Sequence, residues 1–197
     1  MEFKELYKKY NVTNLKIKHM QDVAKLCIFI NKMLDLEVNE ELLTQSALLH
    51  DIGSAYYRGI PINDLNDFDK MWGHQVKTLE WLKREGLVSV AETASRHNCF
   101  GINNEESKEW GYKKGINLLP KSNESKILAF ADSIRAKYIE ENDFITIIHK
   151  DARELLKKHK MVVIAEERKK KLFQFLKKHG LDINKTIKYA KELENLE

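Results

Sequence analysis

Six residues of the 197-residue chain combine side-chain types and settings that suit metal chemistry: His19, the pair His50-Asp51, His74, His97 and Asp132. They sit in IKHMQDVAKL, SALLHDIGS, MWGHQV, ASRHNCFG and ILAFADSIRA, on or beside apolar faces of helical period. Singly, each has an ordinary explanation. A histidine facing a core can be a hydrogen-bonded core residue, His74 can open a helix, and Asp132 can be a cap or a salt-bridge partner. Together they need more, because burying several imidazoles beside two carboxylates is costly unless a cation pairs with them. A divalent metal is such a cation. Neutral imidazole and carboxylate are ligands for Mn, Fe, Co, Ni or Zn, and no thiolate is needed.

The elements that must position these residues read as helices. With two prolines and eight glycines in the chain and abundant Leu, Ile, Lys, Glu and Ala, the composition favours an all-α fold. Asn14 can cap a helix running to about Leu34, with His19, Val23, Cys27 and Ile30 on one face. Asn39 caps a second that reaches His50-Asp51, and Gly53 is the expected stop. Adjacent residues at such an unwinding end can point at one centre, while His19 and Asp132 come from separate helices meeting in a bundle. Residues 54–73 read as a long connection of the kind that forms lids and substrate loops. A third helix is expected over His74–Glu85, with Gly86 as its stop. Ser89 is the expected cap of a fourth, whose face holds Val90, Ala94 and His97. Residues 99–122 are irregular with one short helix near Glu105–Trp110, and Asn123 or Ser122 caps a helix through Ile127, Leu128, Ala131, Ile134 and Tyr138. From about Thr146 the tail is helical by pattern, including the β-branched run Met161–Ala165.

These segments resemble the HD-domain metal-dependent phosphohydrolases, specifically small prokaryotic HDIG-type members. The matching order is His19, then His50-Asp51 within HDIG, then Asp132 within an Ala-Asp pair. The resemblance spans about residues 15–140. It implies a single-domain helical bundle over 1–145 with the metal at its centre, followed by a C-terminal helical extension over 146–197 packed on it. It further implies that His19, His50, Asp51 and Asp132 hold one metal, with His50 and Asp51 at the catalytic centre. His74 and His97 fall where two-metal members carry two more histidines, so Asp51 would bridge to a second ion. Many relatives follow HDIG with a lysine that meets substrate phosphate. Ser54 stands there instead, so that contact is absent or relocated to Arg58, Lys77, Arg96 or Arg135.

The expected enzyme is a hydrolase that cleaves a phosphate ester, most plausibly of a small nucleotide, as a phosphomonoesterase or phosphodiesterase using a metal-activated hydroxide. Two alternatives share the ligand set: a di-iron oxygenase of the myo-inositol oxygenase type, and a phosphodiesterase directed at RNA or cyclic phosphates. The last depends on the tail. Residues 146–197 hold 14 Lys/Arg against 8 Asp/Glu, whereas the rest of the chain holds 20 against 22. KKHK at 157–160 and RKKK at 168–171 could be a nucleic-acid footprint. Leu155, Leu156, Leu172, Phe173, Phe175 and Leu176 recur at helical spacing, however, and favour the solvated face of amphipathic helices.

The remaining features exclude classes. Five-residue apolar runs, Leu26–Ile30 and Met161–Ala165, fall far short of the roughly 20 needed to span a bilayer. The charged start MEFKELYKKY has no signal-peptide core, and two cysteines make no disulfide framework, so a reduced cytoplasmic setting is expected. Cys99 has no activating neighbour in sequence. Trp72, Trp81 and Trp110 read as core or pocket wall, Trp72 and Trp110 lying in segments a substrate would meet, and His149, His159 and His179 read as surface residues among lysines.

Overall fold

Scarcity of Pro and Gly lets helix propagate almost everywhere, and the computed structural model, which describes residues 3–136 and 150–194, is all-α with no strand among those residues. Helix α1 (Phe3–Lys9) leads to α2 (Asn14–Asn31). The cap of α2 is Thr13, whose hydroxyl accepts from Lys16 N at 3.3 Å, in place of the expected Asn14. The helix stops short of Leu34, and beyond it Asp35 N donates to His179 O at 2.8 Å. Asn39 caps α3 (Glu40–Leu49) as its sequence position suggests, accepting from Leu42 N at 3.0 Å.

Gly53 does not stop α3. The helix has already ended, with His50 as its C-cap, and Gly53 lies inside a 3-10 turn, Ile52–Tyr57. Its role is close approach. A Cβ there would collide with His74 O and Thr78 N on the backbone of α4 (His74–Arg84). Thr78 fixes this contact by accepting from Gly53 N at 3.1 Å and donating to His50 O at 3.0 Å. The 54–73 segment is less irregular than expected. It holds a second 3-10 turn, Ile62–Asp64, and a π-helical turn, Asp69–Gly73, that runs directly into α4. Asn66 anchors that turn, accepting from Asp69 N and donating to its carboxylate, both at 2.8 Å.

Gly86, with φ +79°, ends the chain's run out of α4. Helix α5 (Val88–Ala94) starts at Leu87 without a side-chain cap, so Ser89 lies within it, and His97 falls in the turn beyond its end. A capping box of Asn103 and Glu106 opens α6 (Asn104–Glu109). Ser122, accepting from Ser125 N at 3.2 Å, precedes α7 (Asn123–Ala136). The tail forms α8 (Lys150–Lys158), α9 (Val162–Lys178) and α10 (Ile183–Glu194), with Val162–Ala165 helical. The expected face residue Tyr138 and His149 lie outside the described residues.

Helices α2, α3 and α7 pack around Val23, Leu26, Ile30, Leu43, Ile127 and Phe130, and the tail joins the same core through Leu172, Leu176 and Ile183. A second cluster buries Trp72, Phe100, Ile102 and Trp110 against Leu156 and Met161 of the tail. Trp72 and Trp110 are thus core residues, not walls that a substrate meets; Trp110 donates to Met161 Sδ at 3.0 Å. His159 is no free surface residue either, since it stacks on Trp110 at 4.0 Å and lies 3.1 Å from Asp67. In RKKK, Arg168 is bound to Glu106 and Lys169 is buried. Lys169 stands four residues after Ala165 and three before Leu172, on the apolar stripe of α9, whereas Lys170 and Lys171 are exposed.

Two stability outcomes follow. Gly53→Ala should destabilise by about 1–3 kcal/mol or more, because backbone on both sides cannot yield. Lys170→Gln with Lys171→Gln should stay within about 0.5 kcal/mol of wild type, while Lys169→Gln costs clearly more. Chemical denaturation midpoints check both; a neutral Gly53→Ala would show that α3 and α4 can separate.

Candidate metal centre

The packing just described brings all six residues together. His19 projects from α2 and Asp132 from α7, with His19 Nε2 3.1 Å from Asp132 Oδ1. His50, at the end of α3, is fully buried, its Nε2 3.4 Å from the same oxygen. Asp51 follows it. Its Oδ1 lies 3.7 Å from His74 Nε2 and 3.9 Å from His97 Nε2, and its Oδ2 lies 3.9 Å from His19 Nε2. Two donor triads result: His19, His50 and Asp132, and Asp51, His74 and His97. The ligand atoms of each lie within 4.8 Å of one another. Asp51 faces both.

Two imidazoles are held in the state a metal requires. His50 Nδ1 donates to Ala47 O at 2.8 Å and His97 Nδ1 to Ala94 O at 2.7 Å. A carbonyl can only accept, so each Nδ1 carries the hydrogen and each Nε2 presents a lone pair inward. His50 Nε2 is buried with no hydrogen-bond partner, an orphan that would be costly unless a ligand meets it. His97 Nε2 meets His74 Nε2 at 2.9 Å. Two nitrogens converging at that distance, beside a buried carboxylate, suit a divalent cation between them. HD domains bind divalent metals, and this donor set fits them.

The electrostatics are those of a site that needs positive charge. Burial alone would raise the pKa of Asp51, yet His50, His74, Lys16 and His97 together hold it below the usual carboxylate range. Burial likewise opposes ionisation of Asp132, and the neighbouring His19 and His50 outweigh it and hold its pKa well below the usual carboxylate range. Burial drives His50 toward the neutral form, but Asp132 and then Asp51 reverse this and raise its pKa. Burial and the neighbouring His50 and His74 push His97 down to about 3, which keeps its lone pair free at neutral pH. Lys16 completes the balance, its Nζ 2.5 Å from Asp51 Oδ2.

A cavity of about 400 Å³ opens over the two triads. None of the four cations expected to meet substrate lines it. Arg58 donates to Asn11 O at 3.0 Å outside its wall. Lys77 pairs with Glu80 at 2.9 Å and lies over the Tyr56 ring. Arg96 folds back on Glu92 at 2.6 Å. Arg135 reaches Asp22, a buried carboxylate, at 3.0 Å and ties α7 to α2. The cavity's cations are instead Lys16 and Lys70, and its wall includes Tyr57, whose hydroxyl donates to Asp69 at 3.0 Å. Sequence reasoning missed Lys16, though it stands one turn before His19 on the same helix and that spacing could have found it. Cys99 donates to Ala129 O, and burial lifts its thiol to about 11, so it is unreactive.

A family model described as "HD domain" matches residues 17–137. A curated protein of Thermoplasma volcanium, a tRNA (cytidine(56)-2'-O)-methyltransferase, is 32% identical over 133 residues, which is 67% of this chain and 35% of that protein. The chain therefore spans about a third of the length of that relative. No solved structure matches.

Loaded with Mn, Co, Ni or Zn, the protein should hold about two ions per chain. Asp51→Ala should lose most of both and His97→Ala mainly one. Lys16→Gln should lose neither, since its ammonium competes with metal for Asp51. Elemental analysis after gel filtration decides. A single ion, retained in His74→Ala and His97→Ala, would make the site mononuclear.

Proposed function

Because the chain belongs to the HD-domain family, we propose that it is a metal-dependent phosphohydrolase that cleaves a phosphate ester of a nucleotide. The observation that carries this reading is the pair of backbone-locked imidazoles, His50 and His97, whose Nε2 atoms stand 3.4 Å from Asp132 and 3.9 Å from Asp51. In this proposal His19, His50 and Asp132 hold one ion, and Asp51, His74 and His97 the other, with Asp51 close enough to His19 to serve both. Bound there, divalent metals lower the pKa of water and polarise a phosphoryl group.

The remaining work falls to the chain. His50 and His97 are oriented by Ala47 O and Ala94 O, so no reorganisation is needed when ligands are engaged. With Asp51 engaged as a ligand, Lys16, which now pairs with it, would donate to a phosphate oxygen instead. It thereby takes the place of the lysine that Ser54 does not supply. Lys70 adds a second cation at the rim of the cavity. Tyr57, held by Asp69, fixes the wall between them. The choice of a nucleotide is supported by the Thermoplasma volcanium relative, a methyltransferase of a tRNA cytidine.

A panel of nucleoside mono-, di- and cyclic phosphates with added Mn, Co, Ni or Fe tests the reading. Metal-dependent release of phosphate or nucleotide is expected, falling at least about 100-fold in Asp51→Ala. Lys16→Gln should lower kcat/KM by about tenfold or more at unchanged metal content, as loss of a charged hydrogen bond does. Oxygen consumption by the iron-loaded protein without phosphate release would overturn the hydrolase and favour an oxygenase.

A further inference from the structure

The cavity over the two triads does not end at its own rim. Lys16, Ser54 and Tyr57 wall both it and a second space of about 320 Å³. Asn11, Val12 and Arg58 in turn wall the second and a third, of about 570 Å³, alongside α1 and the start of α2. The three spaces adjoin through these shared walls, and the row of them, here called the groove, begins at Asp51 and ends at Lys4. Building on the phosphohydrolase reading above, we propose that this groove holds a single-stranded nucleic acid, with one phosphodiester at the metal centre and adjoining nucleotides laid along the turn between α1 and α2.

Charge is the first argument. Lys16, Arg58, Lys8 and Lys4 follow one another along the groove, and among the described residues no Asp or Glu walls its second and third parts. The first 20 residues hold five lysines against two glutamates, and three of those lysines, Lys4, Lys8 and Lys16, wall the groove while neither glutamate does. It lies, moreover, far in sequence from the basic tail.

Room is the second argument. Ligand pockets for single small molecules occupy roughly 300–1,000 Å³, and the metal cavity at about 400 Å³ already falls in that range. A lone nucleotide would leave the other two spaces unused. The third argument is the mixture of surfaces. Val12, Ile17 and Leu15, the last 80% exposed, stand between the cations. An oligonucleotide offers phosphates to the one and base faces to the other; inorganic polyphosphate offers only phosphates. The middle of the groove is also fixed. Asn11 adopts a left-handed φ of +52°, which asparagine tolerates, and its carbonyl is held by Arg58. Arg58 is thereby a groove residue in place of a metal-cavity residue.

The test is fluorescence anisotropy of the full chain with a fluorescein-labelled decamer of oligouridylate, without added metal so that no turnover occurs. Unlabelled uridine monophosphate and inorganic polyphosphate serve as competitors. The decamer should bind at least tenfold more tightly than the mononucleotide at low salt. Each phosphate contact contributes about 0.7 to the salt slope of single-strand binding, so Lys4→Gln/Lys8→Gln should lower that slope by about 1.4. Both lysines are exposed on α1, and thermal melting checks that the variant folds. Arg58→Gln should weaken the decamer as well. Lys170→Gln/Lys171→Gln removes the same charge from α9 and should leave affinity and slope intact. A decamer no tighter than the mononucleotide, equal weakening by the α9 control, or polyphosphate competing as well as the decamer would each overturn the proposal. Intact mononucleotide hydrolysis alongside any of these would leave the phosphohydrolase reading standing. Groove-dependent binding with no hydrolysis of any nucleotide would sink that reading and spare the groove.

Discussion

The metal centre depends on one close approach, that of Gly53 to the backbone of α4. Asp51 can face His74 only if the chain leaving α3 lies directly on the first turn of that helix, and a single Cβ at residue 53 would prevent it. Thr78 turns the contact into a clamp. Its hydroxyl satisfies Gly53 N and His50 O, two backbone groups freed where α3 ends. The clamp couples the two triads, since His50 belongs to one, His74 to the other, and Asp51 stands between.

Around that clamp the chain solves an electrostatic problem. Two carboxylates and four imidazoles converge in one buried or half-buried cluster. Positive charge stands against Asp51 in the form of Lys16. Such an arrangement is poor for stability, because a hydrophobic set of equal volume would cost less to bury. It makes sense as a site whose donor set a divalent ion would complete.

The tail illustrates how composition misleads about place. Its excess of lysines suggests a nucleic-acid surface, yet α9 uses Ala165, Leu172, Phe173 and Leu176 to finish the core shared by α2 and α7. Arg168 is spent on Glu106 and two backbone carbonyls. The run of cations that adjoins the metal centre lies instead at the other end of the chain, where residues 1–20 hold five lysines against two glutamates.

What the sequence determined by itself is the helical class and the set of six residues. Helix follows from poverty in Pro and Gly and from apolar period, both local properties. His19, His50, Asp51 and Asp132 are legible because His-Asp at a helix end, with acid and imidazole on neighbouring apolar faces, is a chemical pattern that survives without coordinates; His74 and His97 join them only through the family resemblance. Caps were legible only where one side chain dominated, as at Asn39; at Thr13, Ser122 and Leu87 adjacent residues competed and packing chose. Only tertiary structure decided which cations meet the cavity. Helical period says that Lys16 and His19 share a face, but not that this face looks onto Asp51, nor that Arg58, Lys77, Arg96 and Arg135 turn to Asn11, Glu80, Glu92 and Asp22. Long cationic side chains reach whatever acceptor the packing offers, and that choice is made by contacts between residues up to 113 positions apart.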